Sequence, residues 1–335
     1  MMFRKNFPSI ILLILAGSVT HCSQPARQSI GSIERLDPAL DALLDTTSKI
    51  EVLADGFVWS EGPVWSDTLQ ALLFSDVPEN KIYQWSEKGG LQIYLTPSGY
   101  TGSVPRGGEP GSNGLLIRNH QLYLAQHGDR RIARMEADLF HPQSAFTAIA
   151  DKFEGKRLNS PNDLVMDRQG NVFFTDPPYG LLKNDQDSSK ETAWQGVYRV
   201  SAEGKVRLLT DSLSRPNGIA LSPDEGTLFV ANSDPEKPRW YAYELKADSV
   251  AGGRIFYDAS REAAAAPGSP DGMKMHPAGY LIASGPGGIM IFTLEGKVIG
   301  RIRLPASTAN CGLDTAMDYL YITADNYLLR VRLKD

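Results

Sequence analysis

Six short phrases in this 335-residue chain each set an oxygen-bearing side chain just ahead of a turn residue and a β-rich run. They are anchored at Glu61, Asn113, Asn162, Asn217, Asp271 and Asn310. The clearest copies are Ser160-Pro161-Asn162-Asp163, Arg215-Pro216-Asn217-Gly218 and Ser269-Pro270-Asp271-Gly272. None of the six anchors is basic. Two carboxylates and four amides brought to one place would be costly to bury without compensation. A divalent cation removes that cost. Calcium suits the set first, because it takes about six to eight oxygens from carboxylates, amide carbonyls and water. Magnesium or manganese would keep more water. Zinc, which favours nitrogen and sulfur, is the last alternative.

The elements that would position these anchors follow from their spacing. Successive anchors are 52, 49, 55, 54 and 39 residues apart, which is the period of a propeller blade. β-rich runs recur after them at Ala71–Phe74, Gln121–Ala125, Asn171–Thr175, Thr227–Ala231, Tyr280–Ser284 and Tyr319–Thr323. Gly, Pro, Asn and Asp turns separate the runs. Third and fourth strands follow, as in Gly196–Val200 and Lys205–Leu209. The pattern predicts an all-β fold, a six-bladed β-propeller with a central metal site, over residues 51–335. The first strand of each blade lies along the central channel, so all six anchors point at one axis. A strand from residues 33–60 is expected to close the ring. Polar residues 186–191 read as a loop, and the Gly-rich stretch 107–111 as a lid over the channel or a plain exposed loop.

Composition narrows the chemistry. The net charge is −5, which argues against a nucleic-acid partner. There are five His and two Cys, and no C-x-x-C, H-E-x-x-H, G-x-S-x-G or P-loop motif. Zinc-finger and zincin sites, a disulfide framework, the usual serine-hydrolase elbow and a phosphate-cradling loop are therefore excluded. Residues 1–22 read as a secretory signal, with Arg4 and Lys5 ahead of an apolar run, Ile10–Ala16, too short to span a bilayer. Cys22 stands where a lipoprotein signal is cleaved, although Val19-Thr20-His21 fits a lipobox poorly. The expectation is an exported protein, periplasmic or lipid-anchored at Cys22, with no transmembrane domain, as monomer or dimer. Residues 23–50 read as a tether.

Five stretches in the right order carry a resemblance. They are Glu61-Gly62-Pro63-Val64-Trp65, Arg157–Leu164, Thr175–Gly180, Pro216–Asp224 and Pro270–Met273. Over residues 50–333 the chain resembles the gluconolactonase family, which includes senescence marker protein and luciferin-regenerating enzyme. The resemblance implies a six-bladed propeller with one catalytic divalent cation, held by Glu61, Asn217 and Asp271. It implies that Asn162 ligates the metal or contacts substrate. It implies hydrolysis of sugar lactones, with Asp271 as general base or nucleophile. A phosphotriesterase-like side activity shares that site.

The remaining residues divide between function and packing. Asn113, His127 and Tyr179 are candidates for the substrate pocket, and Asn310 a further pocket residue. His127 would otherwise be a hydrogen-bonded turn histidine, and Tyr179 a packing residue. His276 and Gly285–Gly288 read as structural turns, and Arg130-Arg131 as a solvated edge. An alternative reading from another class is a non-enzymatic periplasmic propeller that binds a sugar or protein and keeps its metal for stability.

Overall fold

Apolar runs bounded by Gly, Asn and Asp turns reverse the chain every few residues, and four in succession make one antiparallel sheet. The computed structural model describes residue 2 and residues 27–334. Blade 1 is Ser60–Ser66, Ala71–Asp76, Lys81–Ser86 and Gly90–Leu95. Blade 2 is Ser112–Arg118, Gln121–Gln126, Arg131–Met135 and Phe146–Ala150. Blade 3 is Leu164–Met166, Val172–Asp176, Gly196–Val200 and Val206–Thr210. Blade 4 is Pro216–Leu221, Thr227–Asn232, Arg239–Leu245 and Val250–Asp258. Blade 5 begins Met273–His276, Tyr280–Gly285, Gly288–Phe292 and Val298–Arg303, and blade 6 begins Thr308–Leu313, Tyr319–Ala324 and Tyr327–Arg332. Each first strand touches the first strands on either side, round to blade 6 against blade 1, so the ring closes. This is the expected six-bladed propeller.

The N-terminal segment does not hang free as a tether from residue 27 onward. Ser32–Arg35 adds a fifth strand to blade 5, with Ser32 opposite Arg303. A short 3-10 turn, Pro38–Ala42, then buries Leu40, and Leu43 and Leu44 follow it into the core between blades 5 and 6. Ile50–Asp55 completes blade 6 as its outermost strand, with Ile50 opposite Val331 and Asp55 opposite Tyr327. Arg27 reaches Glu87 at 2.7 Å and lies over the Trp85 ring. The proposed signal in residues 1–22 and Cys22 lie outside the described residues. Cys311 is buried in blade 6 as a free thiol.

Burial falls from the axis outward. Ala71–Asp76, a second strand, is buried on both faces, so its first four residues read as an apolar run rather than an alternation, before Ser75 and Asp76. The outer strand Gly90–Leu95 is mostly exposed. Between blades the packing is aromatic and aliphatic. Trp240 packs against Phe292 across blades 4 and 5, with ring centroids 5.3 Å apart, and Trp65 stacks on Tyr321 across blades 1 and 6. Each such side chain contributes about 1.5–3 kcal/mol on burial.

Near the axis, close approach replaces bulk. A Cβ on Gly62 would lie 2.1 Å from the Asn113 carbonyl oxygen, and one on Gly218 would lie 2.1 Å from that of Asp271. At these two positions only glycine lets the neighbouring first strands come this near. Hydroxyls at the ends of second strands tie the blades together. Ser75 Oγ donates to the Asn113 carbonyl (2.9 Å), Thr175 Oγ1 to that of Asn217 (2.7 Å) and Ser284 Oγ to that of Ala309 (2.7 Å).

Candidate active site

All six anchors lie on or beside a first strand. Glu61, Asn113, Asn217 and Asn310 sit within theirs, and Asn162 and Asp271 stand two residues ahead of theirs. Five of them, Glu61, Asn113, Asn162, Asn217 and Asp271, line one cavity of about 280 Å³ at a mouth of the channel, and Tyr179 lines it too. Asn310 is buried beside them and donates from Nδ2 to Glu61 Oε2 at 3.2 Å. His127 is fully buried behind this wall, with Nε2 3.4 Å from Asn162 Nδ2. The structure thus brings together every residue expected to hold a metal or touch substrate, with His127 one layer back.

The electrostatics of the cavity are those of crowded acids. Burial pushes the Glu61 carboxyl up to about 7, and the Asp163 charge adds to that. The Gly62 N–H, 3.0 Å from Glu61 Oε2, and the Asn310 amide oppose the rise. Asp271 is held well above the ordinary carboxylate range, by burial first and then by the charges of Glu61, Asp163 and Glu109. Burial also raises the Tyr179 phenol, with the Asp271 charge behind it. The Lys274 ammonium stands 4.0 Å from Asp163 Oδ2 and also donates to Asn310 Oδ1 at 3.4 Å. One ammonium faces four acids, and burial together with this crowding holds Glu61 and Asp271 back from ionising.

Several oxygens in this wall have no protein partner. Among the described residues, Asn113 Oδ1, Asn162 Oδ1, Asp163 Oδ2 and Asp271 Oδ1 are buried and accept no hydrogen bond. Leaving such an acceptor unmade costs about 1–3 kcal/mol each. Among the described residues no three His, Cys, Asp or Glu side chains form a metal cluster by themselves. The donor set here is mixed, carboxylate with amide oxygen. It fits a hard, oxygen-preferring cation and does not fit zinc.

The amide orientations are set from behind. Asn217 Nδ2 donates to Ser233 Oγ at 2.9 Å, and Ser233 Oγ donates onward to the Pro270 carbonyl at 2.5 Å. The approach to Asn162 is fixed by Asp176, which accepts from the N–H groups of Asn159 and Ser160 at 2.8 Å each.

Among the cavity and near-cavity groups not read from the sequence as site residues are Trp59, Glu109, Asp163 and Ser233. Glu109 rises from the 107–111 stretch and lines the cavity, so that stretch is part of the mouth. Asp163 carried a signal. It occupies the column that holds Gly62, Gly114, Gly218 and Gly272 in four other blades. Arg130 corrects the expected solvated edge. It is only 4% exposed, and it donates to the Leu158 carbonyl at 2.7 Å and the Ser189 carbonyl at 2.8 Å. Its turn conformation, φ 62°, swings the side chain inward. His276 closes a hairpin, where Nδ1 accepts from the Ala278 N–H at 3.2 Å.

Comparison with known proteins agrees with this geometry. Residues 59–326 match the family described as the SMP-30/Gluconolactonase/LRE-like region. A gluconolactonase of Zymomonas mobilis is 39% identical over 97% of this chain and 94% of its own length. The solved structure of a gluconolactonase from Xanthomonas campestris superposes with a TM-score of 0.78 at 30% identity, covering 93% of this chain and 99% of that one. A calcium-binding regucalcin from Agrobacterium tumefaciens, at 18% identity and a TM-score of 0.65 over 84% of this chain and 94% of that one, shares the fold. With the family's span covering most of the propeller, the chain belongs to the SMP-30/gluconolactonase/LRE-like family.

Proposed function

We propose that this propeller hydrolyses sugar lactones at the axial cavity, with a divalent cation, calcium first, held by Glu61, Asn162, Asn217 and Asp271. The chain is a lactonase, a carboxylic-ester hydrolase of this family. The observation that carries the cation is the group of buried, partnerless oxygens on Asn113, Asn162 and Asp271 in a wall that also holds Glu61. A bound cation would supply Lewis-acid stabilisation of the charge that develops on the lactone carbonyl oxygen.

The protein's own groups do the rest. Asp271 either takes a proton from the attacking water or adds to the carbonyl carbon itself. Hydrolysis opens the ring by breaking the bond between the carbonyl carbon and the ring oxygen. With Asp271 as base, the ring oxygen leaves as a hydroxyl carrying the proton that Asp271 took from water. With Asp271 as nucleophile, the ring oxygen is protonated from solvent, and water then cleaves the Asp271 acyl bond to release the acid and restore the carboxylate. Asn113 and Tyr179, on the wall, are placed to bind sugar hydroxyls. The export reading of residues 1–22, with a lipid at Cys22 as its anchored form, belongs to this proposal and would put the reaction outside the cytoplasm.

The test is hydrolysis of a panel of aldonolactones by the purified protein, before and after EDTA and after calcium is restored. The reading expects turnover that EDTA abolishes and calcium returns. A melting temperature that rises with calcium, with no turnover on any lactone, would instead mark a binding propeller.

A further inference from the structure

An asparagine serves a cation only through its oxygen; turned over, it presents two N–H donors. Side-chain geometry sets which end of Asn162 meets the cavity. Its Nδ2 lies 3.4 Å from His127 Nε2, deep in the protein. The other ring nitrogen, Nδ1, lies 3.2 Å from Glu109 Oε2. Nδ1 makes no hydrogen bond to the protein, but the carboxylate beside it favours a proton there over a lone pair, so the ring proton belongs on Nδ1, facing Glu109. Nε2 then carries the lone pair and accepts from Asn162 Nδ2. With its nitrogen so engaged, Asn162 is left with Oδ1 free, and Oδ1 is one of the buried oxygens without a protein partner.

We infer that Glu109 and His127 form a positioning relay that turns the Asn162 oxygen toward the axis and so sets the cation affinity of the site from the mouth loop. The inference rests on the axial-cation reading above. The loop is seated for this task. Arg106 donates to the Gly128 carbonyl at 3.1 Å and to the Gly180 carbonyl, and its guanidinium lies over the Tyr100 ring. Thr101 donates from Oγ1 to Asp129 at 2.7 Å. On the far side, Gly180 packs so closely that a Cβ there would lie 2.6 Å from that of His127. The imidazole therefore has one place to be. Groups that orient metal ligands from behind are worth about 10–100-fold in metal affinity.

The test is calorimetric titration of cation-depleted protein with calcium chloride, which reads binding without reference to turnover. His127→Leu keeps an apolar bulk but offers Asn162 no acceptor, and its calcium affinity should fall about 10–100-fold. Glu109→Leu, on a half-exposed loop residue that folding tolerates, should weaken binding in the same direction by a smaller factor. Glu109→Gln should restore part of it, because the amide oxygen still presents a negative dipole to Nδ1–H. Parental affinity in Glu109→Leu, or in a folded His127→Leu, overturns the relay. Absence of calcium binding by the parent overturns the axial-cation reading and the relay with it. Calcium binding that weakens as described in a protein without lactone turnover supports the relay and counts against the lactonase reading alone.

Discussion

Asn162 and Asn217 occupy the same place in adjacent blades, yet different chemistry holds them. Ahead of Asn217, the Arg215 N–H donates to Asn232 Oδ1 at 2.8 Å, a neutral amide. Ahead of Asn162, the Asn159 and Ser160 N–H groups donate to Asp176, an ionisable acid. Asp176 and Asn232 both end the second strand of their blade. The Asn217 amide rests on Ser233, which is itself tied to the backbone of Pro270. The Asn162 amide rests on His127, with Glu109 of the mouth loop behind it. Ser233 and His127 also share a column, each following a second strand. One support is neutral and fixed to the frame. The other is ionisable and runs to a surface loop. Equal ligand geometry can thus carry unequal dependence on pH and on loop sequence.

The largest effect falls on the anchor next round the ring from Asn217. Asp271→Asn keeps the shape of the wall and removes its carboxylate. Its kcat on a responsive lactone should fall about 10²–10⁴-fold, the range for loss of a general base. The melting temperature of the cation-free variant should not fall, since the amide carries none of the charge that burial, Glu61 and Asp163 disfavour at this position. Near-parental kcat would remove Asp271 from the chemistry.

Ser233→Ala sharpens the comparison from the neutral side. It deletes the acceptor for Asn217 Nδ2 and the donor to Pro270, leaving the amide free to turn over. Calcium affinity by calorimetry should drop about tenfold, with a stability loss of about 1 kcal/mol by chemical denaturation. The same loss at every mouth-loop sequence is expected, because this support never reaches the loop. If Ser233→Ala bound calcium as the parent does, the frame alone would be orienting Asn217.

The blade repeat was legible because each blade solves the same packing problem. A second strand buried on both faces must be apolar along most of its length, so Ala71–Phe74 and Thr227–Ala231 announce themselves. The axis column was legible for the same reason, since it recurs at Glu61, Asn113, Asn162, Asn217, Asp271 and Asn310. What did not repeat was not read. Glu109 sits on a loop found in one blade only. The sequence places the closing strand only within residues 33–60; that it is Ile50–Asp55, paired with Tyr327–Arg332 across nearly the whole chain, has no local signal. Leu40, Leu43 and Leu44 are spaced among polar residues, so their burial depends on the groove between blades 5 and 6. Arg130 looked exposed because its backbone oxygen partners, on Leu158 and Ser189, have no sequence signature.

Asp176→Asn probes the ionisable support at its most buried point. Burial pushes the Asp176 carboxyl up to about 7, against the two N–H donors that favour its charge. In the unfolded chain it titrates near 4. Between those values the folded protein holds a proton that the unfolded chain has released. The stabilisation linked to that proton is complete below about pH 4 and is lost as the pH rises through about 7. The variant carries the amide that Asn232 already uses in blade 4, so it should lack this loss. It should also show a constant penalty of roughly 1–3 kcal/mol, because one amide oxygen can face only one of the two N–H donors. The slope separates the two effects. Urea denaturation from pH 4 to 8 should show the parent's advantage over Asp176→Asn shrinking with pH, by about 1.4 kcal/mol for each unit of pKa shift. An advantage that stays flat would mean that Asn159 and Ser160 hold the carboxylate ionised throughout. The contrast between blades 3 and 4 would then be one of hydrogen-bond count rather than of charge.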